Sequence, residues 1–593
     1  MVHDSPLAPD HPTPQECEST DRWQGDIVNA VTNYTPPTDA IAFALKLAGF
    51  ERLSAEIPGF EHADLDTVEG ILSESASFFS EAVAPTLRDG DKIGAKHIGD
   101  GQVTTPPSYH DAYGKLVESG WLTVQWPEEF GGGGFPFSVN YAMQEVMDSA
   151  NMAFSLLSIN TFGAIDALLQ FGSDELKERY IPKLVSGEWA GTMNLTEPQA
   201  GTDLGALTTK AVDNGDGTYA ITGQKIFITW GEHDLVENIA HLVLARIPGS
   251  PEGTKGISLF LVPKFLPGGQ RNALECISIE EKLGLHGSPT STMQFDGATG
   301  WLVGEVNAGL KAMFVMMNDA RQTVGIQGLG LSELAHQQSV DYANTRVQGR
   351  TALGDTTIVG HPDVRRMLAT QKSQIAAVRY LLNLNAVNID LAHHHPDEAV
   401  RRQAEERVAL LTPICKTYGS ELGTELTSLN IQVHGGMGFI EETGAAQLWR
   451  DSRITSIYEG TTGVQAVDLV VRKVAQRDGA VVRELIDEMQ QVATATGGAA
   501  GTALAAAFDT LADATTWVLT ADRADALAGS VAYLKLWWRA TAAWLLAKAA
   551  LTEGAPADAA ALRDFFVTTM LPEAQSLAAQ TKSGAEVLRG LSF

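Results

Sequence analysis

The sequence predicts a mainly helical protein with one β domain inserted between helical domains and an extra helical domain at the C-terminal end. Hydrophobic residues recur with helical spacing up to about residue 188, with a period of two up to about residue 300, and with helical spacing afterwards. At 593 residues the chain is too long for one ordinary domain. The predicted parts are a flexible N-terminal tail (1–35), an α domain (36–190), a β domain (191–300), a helical bundle (301–477) and a C-terminal α domain (478–593).

The N-terminal tail is polar and rich in proline. No basic region precedes an apolar stretch, so we expect no secretory signal and a cytoplasmic location. The α domain that follows shows five helical patterns, separated by turns and by the glycine-rich loop Trp126–Gly134. The predicted helices are Ala40–Ala48, Val68–Ala84, Tyr109–Ser119, Phe137–Ala150 and Leu176–Leu184.

The β domain is predicted to be antiparallel, because short apolar runs alternate with turn residues such as Asn214-Gly215. Its predicted strands are Tyr219–Thr222, Lys225–Thr229, His241–Ile247, Gly256–Val262 and Thr292–Phe295.

Helical periodicity returns at Gly309 and continues to a junction at Arg477-Asp-Gly479. Beyond it, the glycines of 497–501 predict a loop between two helices of the C-terminal domain. The apolar segment Val531–Leu551 contains three basic residues, so we expect a core helix and no membrane span.

The composition narrows the range of partners and cofactors. The formal net charge of −30 argues against nucleic acid or an anionic membrane as the main partner. Three scattered cysteines suit neither a disulfide framework nor a thiolate metal site. The cluster His393-His-His395 lacks a complete ligand set, so no metal is expected.

Four segments carry candidate chemistry, and each has an ordinary structural explanation when taken alone. The loop 193–203 (MNLTEPQAGTD) could be a simple turn, and Phe227 with Thr229, expected on one face of a strand, could be packing residues. The glycine-rich run 432–438 (QVHGGMG) could end a helix. Glu459 in the run 457–463 (IYEGTTG) could be a capping carboxylate. The helix after it is expected to bury one face carrying Val464, Val467, Val471 and Val474.

Together and in this order, the four segments resemble the acyl-CoA dehydrogenase family over roughly residues 67–472. The most specific matches are the L-T-E-P-x-A-G-T-D run, the I-x-G-x-K-x-F-I-T strand and the Y-E-G-T-T turn. The resemblance implies the fold of that family, with an N-terminal α domain, a middle antiparallel β domain and a four-helix bundle. It also implies an FAD-dependent enzyme that oxidises an acyl-CoA thioester to the trans-2-enoyl-CoA.

The resemblance assigns roles to individual positions. Glu459 matches the base that removes the α-proton while hydride passes to flavin N5. The residue that carries the base in some members is here Ala320, which cannot serve. Substrate-binding positions are Thr202, Asn318, Arg321, Tyr458 and Gly460. FAD-binding positions are Met193, Leu195, Thr196, Gly201, Thr202, Phe227, Thr229, Arg346, Gln432, Gly435, Gly436, Thr461 and Gly463.

Some of these positions match contacts made across subunits, so the resemblance implies at least a homodimer. Arg346 and Gln432 with Gly435 and Gly436 would reach the FAD of a neighbouring chain. The C-terminal domain and the early segment 34–45 resemble a large bacterial subgroup that includes 3-methylmercaptopropionyl-CoA dehydrogenases. The expected substrate is 3-methylthiopropanoyl-CoA or a short- or medium-chain fatty acyl-CoA. The expected electron acceptor is an electron-transfer flavoprotein.

Two alternatives stay open at this point. The same base would serve an acyl-CoA oxidase that passes electrons to oxygen. A flavin-containing DNA-associated protein is the alternative from another class, and the acidic charge of the chain disfavours it. Acyl-chain length, dimer or tetramer, and the role of the C-terminal domain do not follow from the sequence.

Overall fold

The computed structural model describes residues 34–593, apart from the side chains of residues 315 and 317–319. Most of the predicted tail therefore lies outside the described residues. Its last two positions are packed against the bundle. Tyr34 is buried, and the Thr35 N–H donates to Gln337 Oε1 at 3.0 Å. These two residues belong to the folded domain.

The N-terminal domain is helical as predicted and carries one small hairpin. The predicted helices are present, and two short ones, α2 and α4, were not predicted. The elements are α1 (Thr38–Ala48), α2 (Glu51–Glu56), α3 (Leu65–Phe78), α4 (Leu87–Ile93), β1 (Lys96–Gly99), β2 (Gln102–Thr104), α5 (Pro107–Ser119), α6 (Phe137–Phe171) and α7 (Asp174–Val185).

Helix α6 extends beyond the prediction because it continues through a kink. Asn151 has φ −164° and ψ 96°, and its Oδ1 accepts from the Phe154 N–H at 3.2 Å. The side chain therefore caps a second helical segment where the predicted helix ended. Among the described helices, α6 alone is long and apolar enough to cross a membrane, and 78% of its most apolar stretch is buried within the protein.

The β domain forms one seven-stranded sheet with the order β3-β6-β7-β9-β5-β4, and β8 pairs with β9. It is antiparallel as predicted except between β3 and β6, which run parallel. The two runs predicted at 219–229 form one strand, and three short strands were missed. The strands are β3 (Trp189–Asn194), β4 (Lys210–Asp213), β5 (Tyr219–Thr229), β6 (Asn238–Ala245), β7 (Ser258–Pro263), β8 (Leu274–Ile279) and β9 (Thr290–Val303).

Three long helices and a broken fourth helix form the bundle. The expected buried face of the fourth helix is correct only at Val474, since Val467 is 39% exposed. The buried residues of this helix include Gln465, Ala466 and Leu469. The helices are α8 (Gly309–Thr345), α9 (Pro362–His394), α10 (Glu398–His434), α11 (Ala445–Ser452) and α12 (Thr462–Asp468), which continues as the π-helical turn Leu469–Lys473.

Helices α8 and α10 run parallel and touch through glycines. Their hydrogen-bonded partners stay 90 to 92 residues apart, as in Gln322–Thr412 and Gln338–Asn430. A Cβ on Gly328 would stand 2.0 Å from the carbonyl oxygen of Gly419. A Cβ on Gly419 would stand 2.2 Å from the carbonyl oxygen of Gly325. Only glycine allows the two backbones to approach this closely.

The C-terminal domain shares one hydrophobic core with the bundle, in which Leu485, Phe508 and Trp537 pack with residues of α9 and α10. The predicted loop at 497–501 is reduced to Gly497, which has φ 63°. The helices are α13 (Ala480–Thr496), α14 (Gly498–Thr520), α15 (Arg523–Ala528), α16 (Ser530–Leu551), α17 (Ala559–Thr569), α18 (Glu573–Thr581) and α19 (Glu586–Arg589).

We expect Gly328→Ala to destabilise the bundle, because the added methyl group must push two helix backbones apart. Overpacking of this kind costs about 1–3 kcal/mol or more, and we expect the apparent Tm to fall by about 5 °C in thermal denaturation. Gly114→Ala is the matched control, since a Cβ at that helical glycine meets nothing within 4 Å. Equal Tm values for the two variants would show that the close crossing is absent.

Candidate active site

The turn that carries Glu459 is anchored to helices α8 and α10, which meet at the glycine crossing formed by Gly325, Gly328 and Gly419. It connects α11 to α12. The Tyr458 hydroxyl donates to Gln327 Oε1 of α8. On the other side, Lys416 Nζ of α10 donates to the Thr455 carbonyl at 2.8 Å. The crossing therefore fixes the turn.

Glu459 has a strained backbone. Its φ is 54°, in the left-handed region that non-glycine residues rarely adopt, and such strain gathers at functional sites. Gln465 Nε2 donates to the Glu459 carbonyl at 3.2 Å and helps to hold this conformation. Gly460 follows with φ 90°, and a Cβ there would stand 2.7 Å from Gln465 Nε2. The space beside Gly460, a position that the resemblance assigns to substrate binding, is thus filled by Gln465.

Two cations face the Glu459 carboxyl, one from each crossing helix. Burial raises the pKa of Glu459 above its ordinary value, and Arg321 of α8 and Lys416 of α10 act in the opposite direction. Burial in turn lowers the pKa of Lys416 to about 8, against the attraction of Glu459 and Glu421. The result is a half-buried carboxyl with a raised pKa, which suits a general base.

Thr461 and Gly463 lie where this turn enters α12. Thr461 is the N-cap, and its Oγ1 accepts from the Val464 N–H at 3.3 Å. The backbone N–H groups of the first helical turn are oriented as anion-binding helix N-termini are. These two predicted FAD positions therefore adjoin Glu459.

The predicted flavin loop is fixed from behind by a buried ion pair. Lys225 Nζ of β5 donates to the Leu195 carbonyl and to Glu197 Oε1, both at 2.9 Å. Burial disfavours the Glu197 carboxylate, but Lys225 and hydrogen bonds from Thr208 and Thr209 outweigh this cost and lower its pKa to about 2. Glu197 is therefore a structural anion that shapes the loop.

Strand β5 bulges next to this loop. The register with β9 shifts between Lys225 and Ile228, and Phe227 has φ 61° with 59% of its surface exposed. The bulge breaks the alternation on which the shared face of Phe227 and Thr229 was predicted. The Ile226 N–H donates to the Thr196 carbonyl at 2.9 Å, so the loop and the bulge adjoin. An exposed aromatic ring on strained backbone offers a stacking surface for a planar ligand.

A second group of predicted FAD positions lies far from Glu459. Arg346 follows Arg321 by 25 positions along α8, which at 1.5 Å per residue is roughly 37 Å. The rings of Tyr342 and His434 stack at 4.3 Å and bring Arg346 close to Gln432, Gly435 and Gly436. A Cβ on either glycine would meet nothing within 4 Å, so this surface is open.

The remaining predicted site positions show no distinctive geometry. Asn318 lies in α8, but its side chain is outside the described part. Gly201 and Thr202 are exposed near the end of the 193–203 loop, while Met193 is the fifth residue of β3. Over residues 34–593, no group of histidine, cysteine and acidic side chains is placed to hold a metal ion. His395 bonds instead to Glu56, at 3.1 Å.

A small cavity separates Met193 from α8. It encloses about 30 Å³, room for roughly one water molecule. Ala320, the neighbour of Arg321, lines it, so the cavity begins beside the residues that face Glu459. The other lining side chains mix aromatic, aliphatic, sulfur-containing and polar groups: Phe137, Phe162, Ile159, Met316, Gln125, Asn140, Tyr141, Gln144, Asp166 and Thr323.

Sequence reasoning missed Glu197, Lys225, Lys416 and Gln465. Glu197 and Lys225 stand inside the quoted motifs, so their opposite charges were a usable signal. Lys416 carries no such signal, because its partner lies 39 residues away on a turn.

Comparison with known proteins places this geometry in one family. Models of the acyl-CoA dehydrogenase N-terminal, middle and C-terminal domains match residues 69–188, 192–298 and 307–474. A model described as acetyl-CoA dehydrogenase C-terminal like matches residues 485–592. The chain is 44% identical to the 3-methylmercaptopropionyl-CoA dehydrogenase of Ruegeria pomeroyi, over 87% of this chain and 91% of that protein. The chain belongs to the acyl-CoA dehydrogenase family.

Other relatives agree with this assignment. A butyryl-CoA dehydrogenase of Syntrophomonas wolfei is 36% identical over 72% of this chain and 73% of that protein. Caenorhabditis elegans ACDH-11, solved with C11-CoA, has a TM-score of 0.74 at 20% identity, over 92% of this chain and 94% of that one. A Bacillus anthracis acyl-CoA dehydrogenase complexed with FAD has a TM-score of 0.68 at 21% identity, over 88% and 90%. These two structures show the fold, including the C-terminal domain. The chain is an acyl-CoA dehydrogenase, and members of its family are FAD flavoproteins.

Proposed function

We propose that this chain oxidises a short acyl-CoA at the α,β-bond with Glu459 as the base. The observation that carries the proposal is the Glu459 carboxyl itself, on strained backbone and between Arg321 and Lys416. Its raised pKa makes it basic enough to take a weakly acidic α-proton, and the two cations keep it ionised near neutral pH. By the family resemblance, Arg321 also matches an arginine near the bound CoA.

The residues present fit FAD. The exposed Phe227 ring supports a flat ring system, the 193–196 loop borders it, and the start of α12 suits a diphosphate. When bound, FAD accepts the hydride equivalent from the β-carbon. An electron-transfer flavoprotein then serves as the electron acceptor, and one structural neighbour, 26% identical, is described as the electron transferring flavoprotein of Acidaminococcus fermentans.

The acyl chain is proposed to enter the cavity next to Ala320. At about 30 Å³ the cavity must widen to take any acyl chain, and a short chain requires less displacement of its walls than a long one. Phe137, Phe162 and Met316 provide aromatic edges and a polarisable sulfur, which suit a thioether. The Ruegeria relative is named for 3-methylmercaptopropionyl-CoA, and we propose the same substrate for this chain.

The second cluster of FAD positions supports a homodimer. Arg346, Gly435 and Gly436 lie too far from Glu459 to serve the same flavin. Apolar side chains beside them are exposed: Val347 by 63% and Phe439 by 86%. A second copy of the chain would cover these side chains and receive Arg346 at its own flavin.

We expect Glu459→Gln to retain FAD but to lose reduction by substrate. Removal of a general base typically costs 10²–10⁴-fold, and the flavin absorbance after anaerobic mixing with 3-methylthiopropanoyl-CoA reports the rate directly. Glu442→Gln, an exposed carboxylate elsewhere in the bundle, is the control and should reduce normally. Bleaching of Glu459→Gln at the wild-type rate would rule out this base.

We expect 3-methylthiopropanoyl-CoA to be preferred over pentanoyl-CoA, in which a methylene group replaces the sulfur. A sulfur–aromatic contact is worth about 0.3–1.5 kcal/mol, or roughly 2- to 10-fold in kcat/KM. Dodecanoyl-CoA should be a much poorer substrate than either. Equal kcat/KM values for the two short substrates would remove the thioether assignment, and a preference for dodecanoyl-CoA would exclude this cavity as the acyl site.

We expect Arg346→Ala to release FAD more readily and to leave the thermal stability of the apoprotein unchanged. The free flavin that passes a dialysis membrane reports how firmly FAD is retained, and light scattering reports whether the protein remains a dimer. Arg366→Ala is the control, because Arg366 is an exposed arginine paired with Asp363 near the same end of the bundle. Undiminished FAD retention by Arg346→Ala would contradict the cross-subunit contact.

A further inference from the structure

Lys416 is a fully buried lysine of α10 with 0% of its surface exposed. A buried ammonium group is costly unless it is compensated. Its Nζ donates to the Thr455 carbonyl at 2.8 Å, four residues before Glu459. The family resemblance assigned no role to this position.

The charges around Lys416 come from three elements. Glu459 on the turn and Glu421 on α10 itself attract its ammonium group, and Arg321 on α8 repels it. Glu459 attracts the ammonium group more strongly than Glu421 does, and Glu421 also accepts a hydrogen bond from the Thr462 hydroxyl. Glu459 is therefore the main carboxylate that compensates the Lys416 charge.

The C-terminal domain supports the segment that carries Lys416. The ring of Trp538 on α16 stacks on Tyr418 with centroids 5.7 Å apart and an interplanar angle of 7°. Trp538 Nε1 donates to Thr417 Oγ1 at 3.1 Å. Residues 416–418 are thus held between the catalytic turn and the extra domain.

We propose that Lys416 is a positioning residue whose ammonium group fixes the Glu459 turn through the Thr455 carbonyl and stabilises the Glu459 carboxylate. The inference rests on the proposed function in that Glu459 is the base. It predicts that the charge and the hydrogen bond of Lys416 make separable contributions.

The direction of the pH effect follows from the charges that face Glu459. Arg321 and Lys416 both favour its ionised form, and burial opposes it. Removal of the Lys416 charge therefore raises the pKa of Glu459 and protonates more of the base at a given pH. Since only the ionised form accepts the α-proton, the acid limb of the rate profile moves to higher pH.

The test uses Lys416→Gln, which keeps an N–H donor but no charge, and Lys416→Arg, which keeps the charge. The full FAD-loaded chain is mixed with butyryl-CoA across a pH series, and the flavin reduction rate is recorded. The Glu459 carboxyl is titrated separately by infrared difference spectroscopy, with its band assigned by comparison with Glu459→Gln. Lys548→Gln is the matched control, because Lys548 also donates to a backbone carbonyl, that of Leu47 at 2.9 Å.

For Lys416→Gln we expect both the acid limb and the Glu459 titration to move upward by about 1 pH unit, a tenfold lower rate on that limb. Lys416→Arg and Lys548→Gln should retain the wild-type titration. A pH-independent loss of rate with an unmoved titration would overturn the proposal, as would an upward shift in Lys416→Arg. If the Gln variant does not fold, an upward shift of the Glu459 titration in Lys416→Arg still overturns the proposal.

The infrared titration separates this inference from the proposed function. If Glu459→Gln keeps full activity, Glu459 is not the base, yet its carboxyl still reports the charge of Lys416. If Glu459→Gln is inactive and the pKa of Glu459 is the same with and without the Lys416 charge, Glu459 remains the base and the proposed role of Lys416 is wrong.

Discussion

The site depends on the glycine crossing of α8 and α10. Gly325, Gly328 and Gly419 remove the side chains that would keep the helix axes apart, so the two backbones meet at van der Waals contact. Because the helices run parallel with a constant offset, Arg321 and Lys416 stand on adjacent helices within about one turn of each other. Their cationic groups therefore converge on one carboxyl. The catalytic turn packs against this crossing, and both helices hold it by hydrogen bonds.

The buried carboxylates differ in whether they form a direct ion pair. Glu145 and Glu333 pair directly with Arg379, at 2.6 and 2.8 Å, and tie three helices together. Within residues 34–593, Glu459 instead forms no ion pair within 4 Å, although Arg321 and Lys416 act on it. Contact with Arg379 lowers the pKa of Glu333, whereas burial outweighs that contact at Glu145 and raises its pKa. A carboxylate that is surrounded by cations without contact stays ionised and can still accept a proton. Reactivity here comes from incomplete compensation of a buried charge.

The sequence was enough for the domain order, the main helices and the family motifs, because these depend on local periodicity and local turn chemistry. The sequence did not predict those features that depend on contacts between residues distant along the chain. The short strands β4 and β8 depend on pairing with β5 and β9, which the periodicity of their own few residues does not indicate. The bulge at Phe227 follows from attachment of Ile226 to the Thr196 carbonyl. In the sequence, Lys416 looks like an ordinary helical lysine, because the turn that it contacts lies close to it only in the folded bundle.

The extra C-terminal domain is part of the same physical unit. Its aromatic residues enter the core of the bundle, and α16 lies against α10 where Trp538 covers Tyr418. Without that layer, Tyr418 and Thr417 would face water, and the burial that holds the Lys416 ammonium group against the catalytic turn would be reduced. A domain that supplies only solubility or bulk would not need to place an aromatic ring two residues from the cation beside the base. The most economical account of this contact is that the domain completes the low-dielectric surroundings in which Glu459 has its raised pKa.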